Sequence, residues 1–316
     1  MKVFQGIGAC IASAGVAVLL VIPQLALAQA NRTWVSGSGD DMNQCTRSAP
    51  CKTFAVALGK TNTNGEIDCI DAGDYGKVNI QKGIVIDCRG SLGGVQATVS
   101  AYAFSVNAPG AVVVLRNLVI DGVGSGLAGI HITAAAAVDV EDVTIRAMTN
   151  SGIEFVPSTG MGASQLALVR VTSRDNAQHG LLVSPTPGFQ ANVTIFDSTF
   201  AANTLTGMRV NDFGFAAVTN TVFSGNGTHG VAVVASTGMG PPKVSLDRVT
   251  TSTNANGGVL ASGSGAAIYL SNVLSTGNAY GLYPAIGGGA YVSFGNNRTT
   301  GNTIGDGMPT SILSQF

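Results

Sequence analysis

The sequence contains few charged residues and no long run of one charge. Asp, Glu, Lys and Arg make up 10% of the 316 residues, and the formal net charge is −1. No basic block or stripe is present, so the sequence gives no support for a nucleic-acid partner. Scarce charge alone does not predict disorder, because disorder also requires low hydrophobicity and 45% of the residues here are hydrophobic.

Long apolar runs are missing after the N-terminus, so we expect no membrane span in the rest of the chain. At the N-terminus, a lysine precedes the apolar stretch IASAGVAVLLVI, and small-x-small sites follow at 26–28 and 28–30. This pattern is typical of a secretory signal peptide, here residues 1–30, whereas a membrane anchor would need a longer apolar run. We therefore expect a protein of the cell envelope or a secreted protein, located in the periplasm, on the cell surface or in the extracellular space.

Cysteine is scarce, and its spacing disfavours a metal site because no CxxC pair occurs. Cys45, Cys51, Cys69 and Cys88 follow the predicted signal peptide, an even number suited to an oxidising compartment. Three pairings are possible. Cys45 with Cys51 would close the small loop CTRSAPC. Cys69 and Cys88 stand in the similar contexts IDCID and VIDCR, so stacking in register would allow a bridge, the alternative being two buried free thiols.

Helical periodicity is absent, and a short β-type unit repeats instead. The unit is a glycine followed by an apolar-x-apolar triplet, and successive glycines are 23 to 28 residues apart. The glycines of the unit are Gly129, Gly152, Gly180, Gly207, Gly230, Gly258 and Gly281. A strand with alternating apolar residues precedes each of them, as in VDVEDVTI and VTIFDSTF.

Many short strands at a fixed period predict a parallel β-solenoid, in which stacked turns bury a continuous core. We expect the glycines to occupy tight corners that need positive φ. Asparagines stand four residues before four of the glycines, at Asn176, Asn203, Asn226 and Asn254. Stacked in register, these side chains are expected to form an amide ladder along the solenoid.

Residues 49–90, APCKTFAVALGKTNTNGEIDCIDAGDYGKVNIQKGIVIDCRG, resemble the opening of right-handed parallel β-helix proteins of the pectate-lyase-like superfamily. In that superfamily the CKT segment begins a short capping helix, which would place Phe54, Val56, Ala57 and Leu58 against the open end of the core. The resemblance implies an all-β chain with a single right-handed parallel β-helix. It divides the chain into the signal peptide, a disulfide loop with capping helix at 31–64, and the β-helix at 65–316.

Alternation within each triplet places its middle residue on the outside of the solenoid. The predicted outward row is His131, Glu154, Leu182, Arg209, Ala232, Leu260 and Tyr283. Neighbours in the row would lie roughly 5 Å apart, the spacing of parallel strands. His131, Glu154 and Arg209 would then be close enough to cooperate on one polysaccharide chain. In the related enzymes of this superfamily, the outer face of the corresponding sheet often carries the active site.

Two enzyme types of the superfamily match only part of this row. Polygalacturonase-type hydrolases carry NTD, DD, GHG and RIK motifs on successive turns. In this sequence, His179 in QHGLLV and Arg209 in GMRV match the order of the last two motifs. The first two motifs are missing. Hydrolysis also needs two carboxylates about 5 to 9.5 Å apart, and Glu154 is the one acid in the row. We therefore interpret His179, like His229 before its own glycine, as a polar turn residue.

A calcium-dependent lyase would need several oxygen ligands and a base, a role that Arg209 would fill beside Glu154 as one ligand. Too few acids share the row, so no cofactor is predicted, and calcium is implied only for a lyase.

The acidic group VDVEDV is interpreted as a structural feature that pairs charges between turns, and not as a metal site. It stacks Glu141 beside Arg116 and Asp142 beside Arg170, and Asp121 matches Arg146 in the same manner, which sets the register between turns.

The leading functional hypothesis is a non-catalytic module that binds polysaccharide or mediates surface contacts, with Tyr283, Arg209 and Glu154 as binding residues. The alternative is a polysaccharide lyase or glycoside hydrolase acting on an acidic polysaccharide through the outer face of one parallel sheet. Its catalytic candidates are Glu154, Arg209 and His131. A third hypothesis is an exported structural repeat protein without a small ligand. The sequence is compatible with a monomer and with a trimer, which some β-helix proteins form.

Overall fold

The computed structural model describes residues 1–2, 29–91, 93–160, 162–236 and 239–314. The predicted signal peptide at 1–30 lies almost entirely outside the described residues, and Cys10 lies outside them too. Within the described ranges, no helix is long and apolar enough to cross a membrane.

The regular elements alternate short strands with tight turns. In chain order they are β1 Ala30–Val35, α1 Phe54–Lys60, β2 Thr61–Cys69, β3 Gly73–Asp74, β4 Val78–Ile80, β5 Ile84–Asp87, β6 Gly93–Gln96, β7 Phe104–Asp121, β8 Ile130–Arg146, β9 Ile153–Phe155, β10 Ala163–Val169, β11 Thr172–Arg174, β12 Leu181–Val183, β13 Gln190–Phe196 and β14 Thr199–Ala201. They continue with β15 Met208–Asn211, β16 Gly214–Thr219, β17 Val222–Ser224, β18 His229–Val234, β19 Lys243–Asp247, β20 Thr250–Ser252, β21 Gly257–Ser262, β22 Ala267–Ser271, β23 Leu274–Thr276, β24 Tyr280–Leu282, β25 Ala290–Ser293, β26 Arg298–Thr299 and β27 Ser311–Ile312.

All pairings between these strands are parallel, and they arrange the strands in three stacks. Stack A contains β1, β2, β5, parts of β7 and β8, and then β10, β13, β16, β19, β22, β25 and β27. Stack B contains β3, β6, parts of β7 and β8, and then β11, β14, β17, β20, β23 and β26. Stack C contains β4, parts of β7 and β8, and then β9, β12, β15, β18, β21 and β24. Each turn of chain thus adds one strand to each stack, which is the predicted parallel β-helix.

The core runs along the inside of the three stacks because every second side chain of each strand points inward. Stack B stacks Phe200 of β14 on Phe223 of β17, with ring centroids 5.3 Å apart and planes 13° from parallel. Both rings are fully buried. Burial of such apolar ladders between turns is what a single turn cannot achieve alone.

Helix α1 covers the N-terminal end of this core. The Thr53 hydroxyl caps the helix by accepting from the Val56 amide at 3.3 Å. Phe54, Ala57 and Leu58 are buried, and the Phe54 ring lies 5.1 Å from the ring of Tyr75. The predicted capping helix therefore shields apolar side chains that an open end of the stack would expose.

Both cysteine pairs form disulfides, Cys45 with Cys51 and Cys69 with Cys88. The Cα atoms of Cys69 and Cys88 are 4.6 Å apart, because the two residues end β2 and follow β5, which pair in register. The second bridge therefore joins consecutive turns. The first closes the short loop between β1 and α1. Strand β1 itself already belongs to stack A, through its pairing with β2.

Removing the turn-to-turn disulfide should weaken the N-terminal end of the β-helix. We expect the double substitution of Cys69 and Cys88 by alanine to lower the free energy of unfolding by about 3 kcal/mol, since the bridge closes a longer loop of the unfolded chain. The same change at Cys45 and Cys51, which are six residues apart, should cost less. Urea unfolding followed by circular dichroism measures both, and equal losses would contradict the loop-length argument.

The repeat glycines do not adopt positive φ, so the prediction that they form left-handed corners was wrong. At the corner between stacks A and B, non-glycine residues adopt that conformation instead, with φ between 50° and 56°. These corner residues are Asn117, Asp142, Arg170, Asp197, Asn220, Arg248 and Asn272. Asparagine and aspartate tolerate this region better than most residues do, whereas the two arginines do so at some cost.

The repeat glycines are needed because consecutive turns approach each other closely at these positions. A Cβ atom on Gly207 would lie 2.7 Å from the carbonyl oxygen of Gly230 and 3.0 Å from Nδ2 of Asn226. Gly180 and Gly230 face the same obstruction from the turn that follows each of them. Side-chain volume, and not backbone conformation, therefore excludes other residues.

The predicted asparagine ladder is confirmed and extends further than the sequence indicated. Each buried amide donates from Nδ2 to Oδ1 of the asparagine one turn later, at 2.8 to 3.0 Å. The ladder consists of Asn176, Asn203, Asn226, Asn254, Asn278 and Asn302. Each Oδ1 also accepts from the backbone amide of the preceding asparagine, as between Asn226 and Asn254 at 3.0 Å. The ladder therefore satisfies polar groups that the bend buries.

The predicted stacks of opposite charge are also confirmed. Arg116 pairs with Glu141 at 3.1 Å, and Arg146 pairs with Asp121 at 2.8 Å. Arg170 contacts Asp142 at 2.7 Å and holds the pKa of that carboxyl below its usual range through its hydrogen bond. These pairs lie on the surface, where they favour one register between turns over its neighbours.

Candidate functional site

The outward row of stack C follows the predicted order. Strand pairing places the middle residues of the triplets next to one another, turn after turn: Ser105, His131, Glu154, Leu182, Arg209, Ala232 and Leu260. Tyr283 continues the row, because its amide donates to the carbonyl of Val259. We call these eight residues the stack C row.

A second row lies beside the first and consists of the residue that precedes each repeat glycine. Backbone hydrogen bonds between turns align its members. They are Tyr102, Ala128, Ser151, His179, Thr206, His229, Gly257 and Tyr280. Most members of this row are buried, whereas Tyr102 and Tyr280, at its two ends, are half-exposed.

Three side chains of the two rows meet near the N-terminal end. His131 Nδ1 lies 2.8 Å from Oε2 of Glu154, within hydrogen-bond distance. The Tyr102 ring stacks on the His131 ring with centroids 4.1 Å apart and planes 8° from parallel. Burial, and then the nearby Glu154 carboxyl, raise the pKa of Tyr102. The structure thus brings together two predicted residues, His131 and Glu154, and adds a tyrosine that keeps its proton at neutral pH.

A groove of about 430 Å³ opens on the side of Tyr102 that faces the capping helix. Its walls include Lys77, Asn79 and Tyr102. Asn79 of β4 pairs with Ser105 of β7, so the groove continues the stack C row by one more turn. It offers an aromatic ring, an amide and an amine to a ligand that lies along the row.

Arg209 occupies the row two turns beyond Glu154, with Leu182 between them. It is half-buried, and this burial lowers its pKa, although a guanidinium stays charged at any physiological pH. Its Nε donates to Oδ1 of Asn211 at 3.0 Å, and Asn211 Nδ2 donates to Ser184 at 3.0 Å. Within the described ranges Arg209 makes no ion pair. The row therefore presents a fixed, partly desolvated cation that no carboxylate of the described residues neutralises.

His179 lies in the second row and is 6% exposed. Its Nδ1 forms a hydrogen bond with the hydroxyl of Thr206 one turn later. Burial, and then the charge of Arg209, lower the pKa of His179 to about 4. The imidazole is therefore neutral at physiological pH, and its hydrogen bond with Thr206 links two consecutive turns.

Aromatic residues dominate the C-terminal end of the two rows. The Tyr283 ring lies edge-on to His229 at 5.0 Å and to Tyr280 at 5.1 Å. A groove of about 300 Å³ runs beside Tyr280, Tyr283 and Met308. The predicted binding residue Tyr283 therefore belongs to a group of rings in which Tyr280 and Tyr283 are half-exposed and His229 is buried.

A family model described as the right handed beta helix region matches residues 82–241 of this chain. The chain belongs to this right-handed β-helix family. The match covers the turns that carry His131, Glu154 and Arg209, and the handedness agrees with the predicted fold class. No curated protein sequence matches the chain in a sequence comparison.

Solved structures of similar shape include several β-helix proteins. The pectate lyase Pel9A aligns with a TM-score of 0.56 at 13% identity, covering 86% of this chain and 80% of its own. The A-module of the mannuronan C-5 epimerase AlgE4 from Azotobacter vinelandii aligns with a TM-score of 0.50 at 15% identity, covering 80% and 91%. The ORF18 protein of Geobacillus virus E2 gives 0.54 at 14% identity, covering 90% and 62%. At these identities the likeness establishes the fold alone.

Sequence reasoning on this β-helix family member missed two tyrosines of the second row, Tyr102 and Tyr280. The turn of Tyr102 reads AYAFSVN, in which Ala103 replaces the repeat glycine, so an alignment on glycines passes over it. The apolar-x-apolar triplet FSV, which pairs with IHI of the next turn, was the signal that would have revealed it. Tyr280 stands directly before the repeat glycine Gly281, a position that the sequence pattern assigns to a turn.

Proposed function

We propose that this protein binds an acidic polysaccharide along the stack C row without cleaving it. The observation that carries the proposal is Arg209, a half-buried cation without a carboxylate partner among the described residues. A guanidinium in such a position favours a planar anionic group, and the carboxylate of a uronic acid supplies one. Tyr102 and Tyr283, toward opposite ends of the row, are suited to stack on sugar rings.

The length of the stack C row favours an extended ligand. Turns are spaced by roughly 4.8 Å, so the distance from Tyr102 to Tyr283 along seven turns is about 34 Å. An extended polysaccharide is the ligand that would contact both ends. Pel9A and AlgE4 are named for pectate and mannuronan, which are acidic polysaccharides, and the ligand proposed here is of the same class.

A catalytic role is the second candidate, and Tyr102, His131 and Glu154 favour it. Glu154 would orient His131 to remove a proton next to a sugar carboxylate, and Tyr102 would hold a proton for transfer. Arg209, however, lies about 10 Å from Glu154, two strand spacings away. It cannot neutralise the carboxylate of the same sugar residue that His131 would attack, and for this reason we favour binding over elimination.

Hydrolysis and calcium-dependent chemistry fit the residues less well. Glu154 is the one acid of the stack C row, whereas glycoside hydrolysis generally uses two. Within the described residues, no group of three or more His, Cys, Asp or Glu side chains could hold a metal ion. A calcium lyase built on Glu154 would therefore lack ligands, and the hydrogen bond from His131 already occupies this carboxyl.

The proposed location is the cell envelope or the extracellular space. Two disulfides are consistent with an oxidising compartment. The proposed polysaccharide ligand would be accessible to the protein there.

The test is to replace Arg209 by glutamine and measure affinity for polygalacturonate and mannuronan. We expect a loss of about 30-fold, as for removal of a charged partner from a partly buried contact, and a smaller loss with lysine. Arg174→Gln is the matched control, because it removes an exposed arginine from stack B. Unchanged affinity in the Arg209→Gln variant would contradict the proposal. A fall in glycan size during incubation with the wild-type protein would show catalysis instead.

A further inference from the structure

Stack A carries a notch on its outer face that is separate from the stack C row. Its volume is about 370 Å³, and β13, β16, β19 and β22 each contribute to its walls. The residues that define it are Phe215, Ala217, Lys243, Ser245 and Tyr269. We call these five residues the stack A notch.

Strand register explains the shape of the notch. Phe215 pairs with Lys243 of the next turn, and Ala217 pairs with Ser245, which in turn pairs with Tyr269. The small side chains of Ala217 and Ser245 therefore form a floor between two rings. From strand spacing and rise, the Cα atoms of Phe215 and Tyr269 are about 12 Å apart, a span that a disaccharide unit covers.

The two rings are not required by the core. Inward positions of the same strands are filled by Ala216, Val244 and Ile268, all buried. Phe215 and Tyr269 alternate with these residues and point outward, half-exposed, where neighbouring positions of the stack carry polar residues such as Thr194. Aromatic rings at outward sheet positions beside a small-residue floor are suited to receive the apolar face of a sugar.

Lys243 gives the notch a positive charge. It is exposed and forms no ion pair among the described residues. The carboxylate on its own strand, Asp247, contacts Arg248 at 2.7 Å and accepts from Asn272 at 3.0 Å. The ammonium group of Lys243 is thus available to a ligand, and its charge favours an anionic one.

We propose that the stack A notch is a second carbohydrate site, which takes a short segment of an acidic polysaccharide. The sugar rings pack against Phe215 and Tyr269, and Lys243 binds a carboxylate. A protein partner fits less well, because few residues line the notch, whereas specific protein interfaces involve roughly 20 to 30 residues on each side. Since stacks A and C form different faces of the solenoid, one protein molecule would hold two separate chains and crosslink them.

Calorimetric titration with hexagalacturonate and hexamannuronate tests this inference. We expect two binding sites in the wild-type protein and one in Tyr269→Ala or Lys243→Gln, with a loss of at least about tenfold in affinity at the stack A notch. Arg209→Gln should weaken the other site by about 30-fold and leave the notch intact. Phe196→Ala is the matched control, since Phe196 is an exposed ring on stack A away from the notch; it should keep both sites.

The outcomes separate this inference from the proposed function. One site that is sensitive to Arg209 and insensitive to Tyr269 and Lys243 would overturn the second site and keep the first. One site that responds only to Tyr269 and Lys243 would overturn the stack C proposal and keep the notch. Binding of neutral cellohexaose with equal affinity at the notch would overturn the role of Lys243. No binding of any hexasaccharide would overturn both sites.

Discussion

Replacing Asn254 with alanine is expected to lower the free energy of unfolding by about 4 kcal/mol, because the change leaves buried polar groups without partners. The Asn254 side chain accepts from both the backbone amide and Nδ2 of Asn226, at 3.0 and 2.9 Å. It also donates to the carbonyl of Phe223 at 3.1 Å and to Asn278 at 2.9 Å. All of these groups lie in the dry bend of the solenoid, where water cannot replace the amide.

The same turn offers a matched control. Asn256 is two residues away and exposed, so Asn256→Ala should change the free energy of unfolding by no more than about 0.5 kcal/mol. Thermal and urea unfolding of the two variants, followed by far-ultraviolet circular dichroism, measure the difference. Similar stabilities of Asn254→Ala and Asn256→Ala would show that the ladder follows from the fold and does not stabilise it.

Acid should destabilise the protein through two buried histidines. Burial lowers the pKa of His179 and of His229 to about 4, well below the usual value of 6.5. Arg209 adds to the effect at His179, and the Tyr283 ring covers His229. Both imidazoles are therefore neutral in the folded protein under conditions in which the unfolded chain already protonates them.

The sign of the effect follows from proton linkage. Between pH 6.5 and about 4 the unfolded state binds more protons than the folded state, so stability is complete above 6.5 and falls as the pH falls. Each histidine contributes on the order of 2 to 3 kcal/mol to this loss. The double variant His179→Gln, His229→Gln keeps His131 and the acids unchanged. Its free energy of unfolding should therefore decline less between pH 7 and pH 4, and parallel curves for the two proteins would disprove the assignment.

The repeat could be predicted from the sequence because the solenoid imposes one rule on every turn. Triplet spacing alone placed His131, Glu154 and Arg209 in the correct outward order, and the asparagine spacing predicted the ladder. The role of the glycines was misjudged, since a close approach between turns and a positive φ both select glycine and leave the same pattern in the sequence. Only the structure separates the two causes.

Sequence reasoning failed where the site depends on two rows at once. Tyr102 reaches His131 from the row before the glycines, a relation that a search within one triplet cannot reveal. The stack A notch is formed by Phe215, Lys243 and Tyr269 from three different turns. Phe215 and Lys243 each stand 15 residues before the next repeat glycine, and Tyr269 stands 12 residues before it, so the period does align their strands. These residues lie outside the triplets of stack C, however, and a search on the triplets does not find them.

Because of the asparagine ladder, a whole turn can be added to or removed from the chain while the hydrogen bonds between turns are kept. The side-chain amide partners of an asparagine in the ladder lie one turn before it and one turn after it, as Asn203 shows with Asn176 and Asn226. Excision of the 23 residues from Asn203 up to Asn226 would therefore bring Asn176 into contact with Asn226 and restore the same hydrogen bonds. The length of the stack C row can thus grow or shrink by whole turns without a new fold. The length of the solenoid becomes a quantity that duplication and deletion adjust in steps of about 4.8 Å.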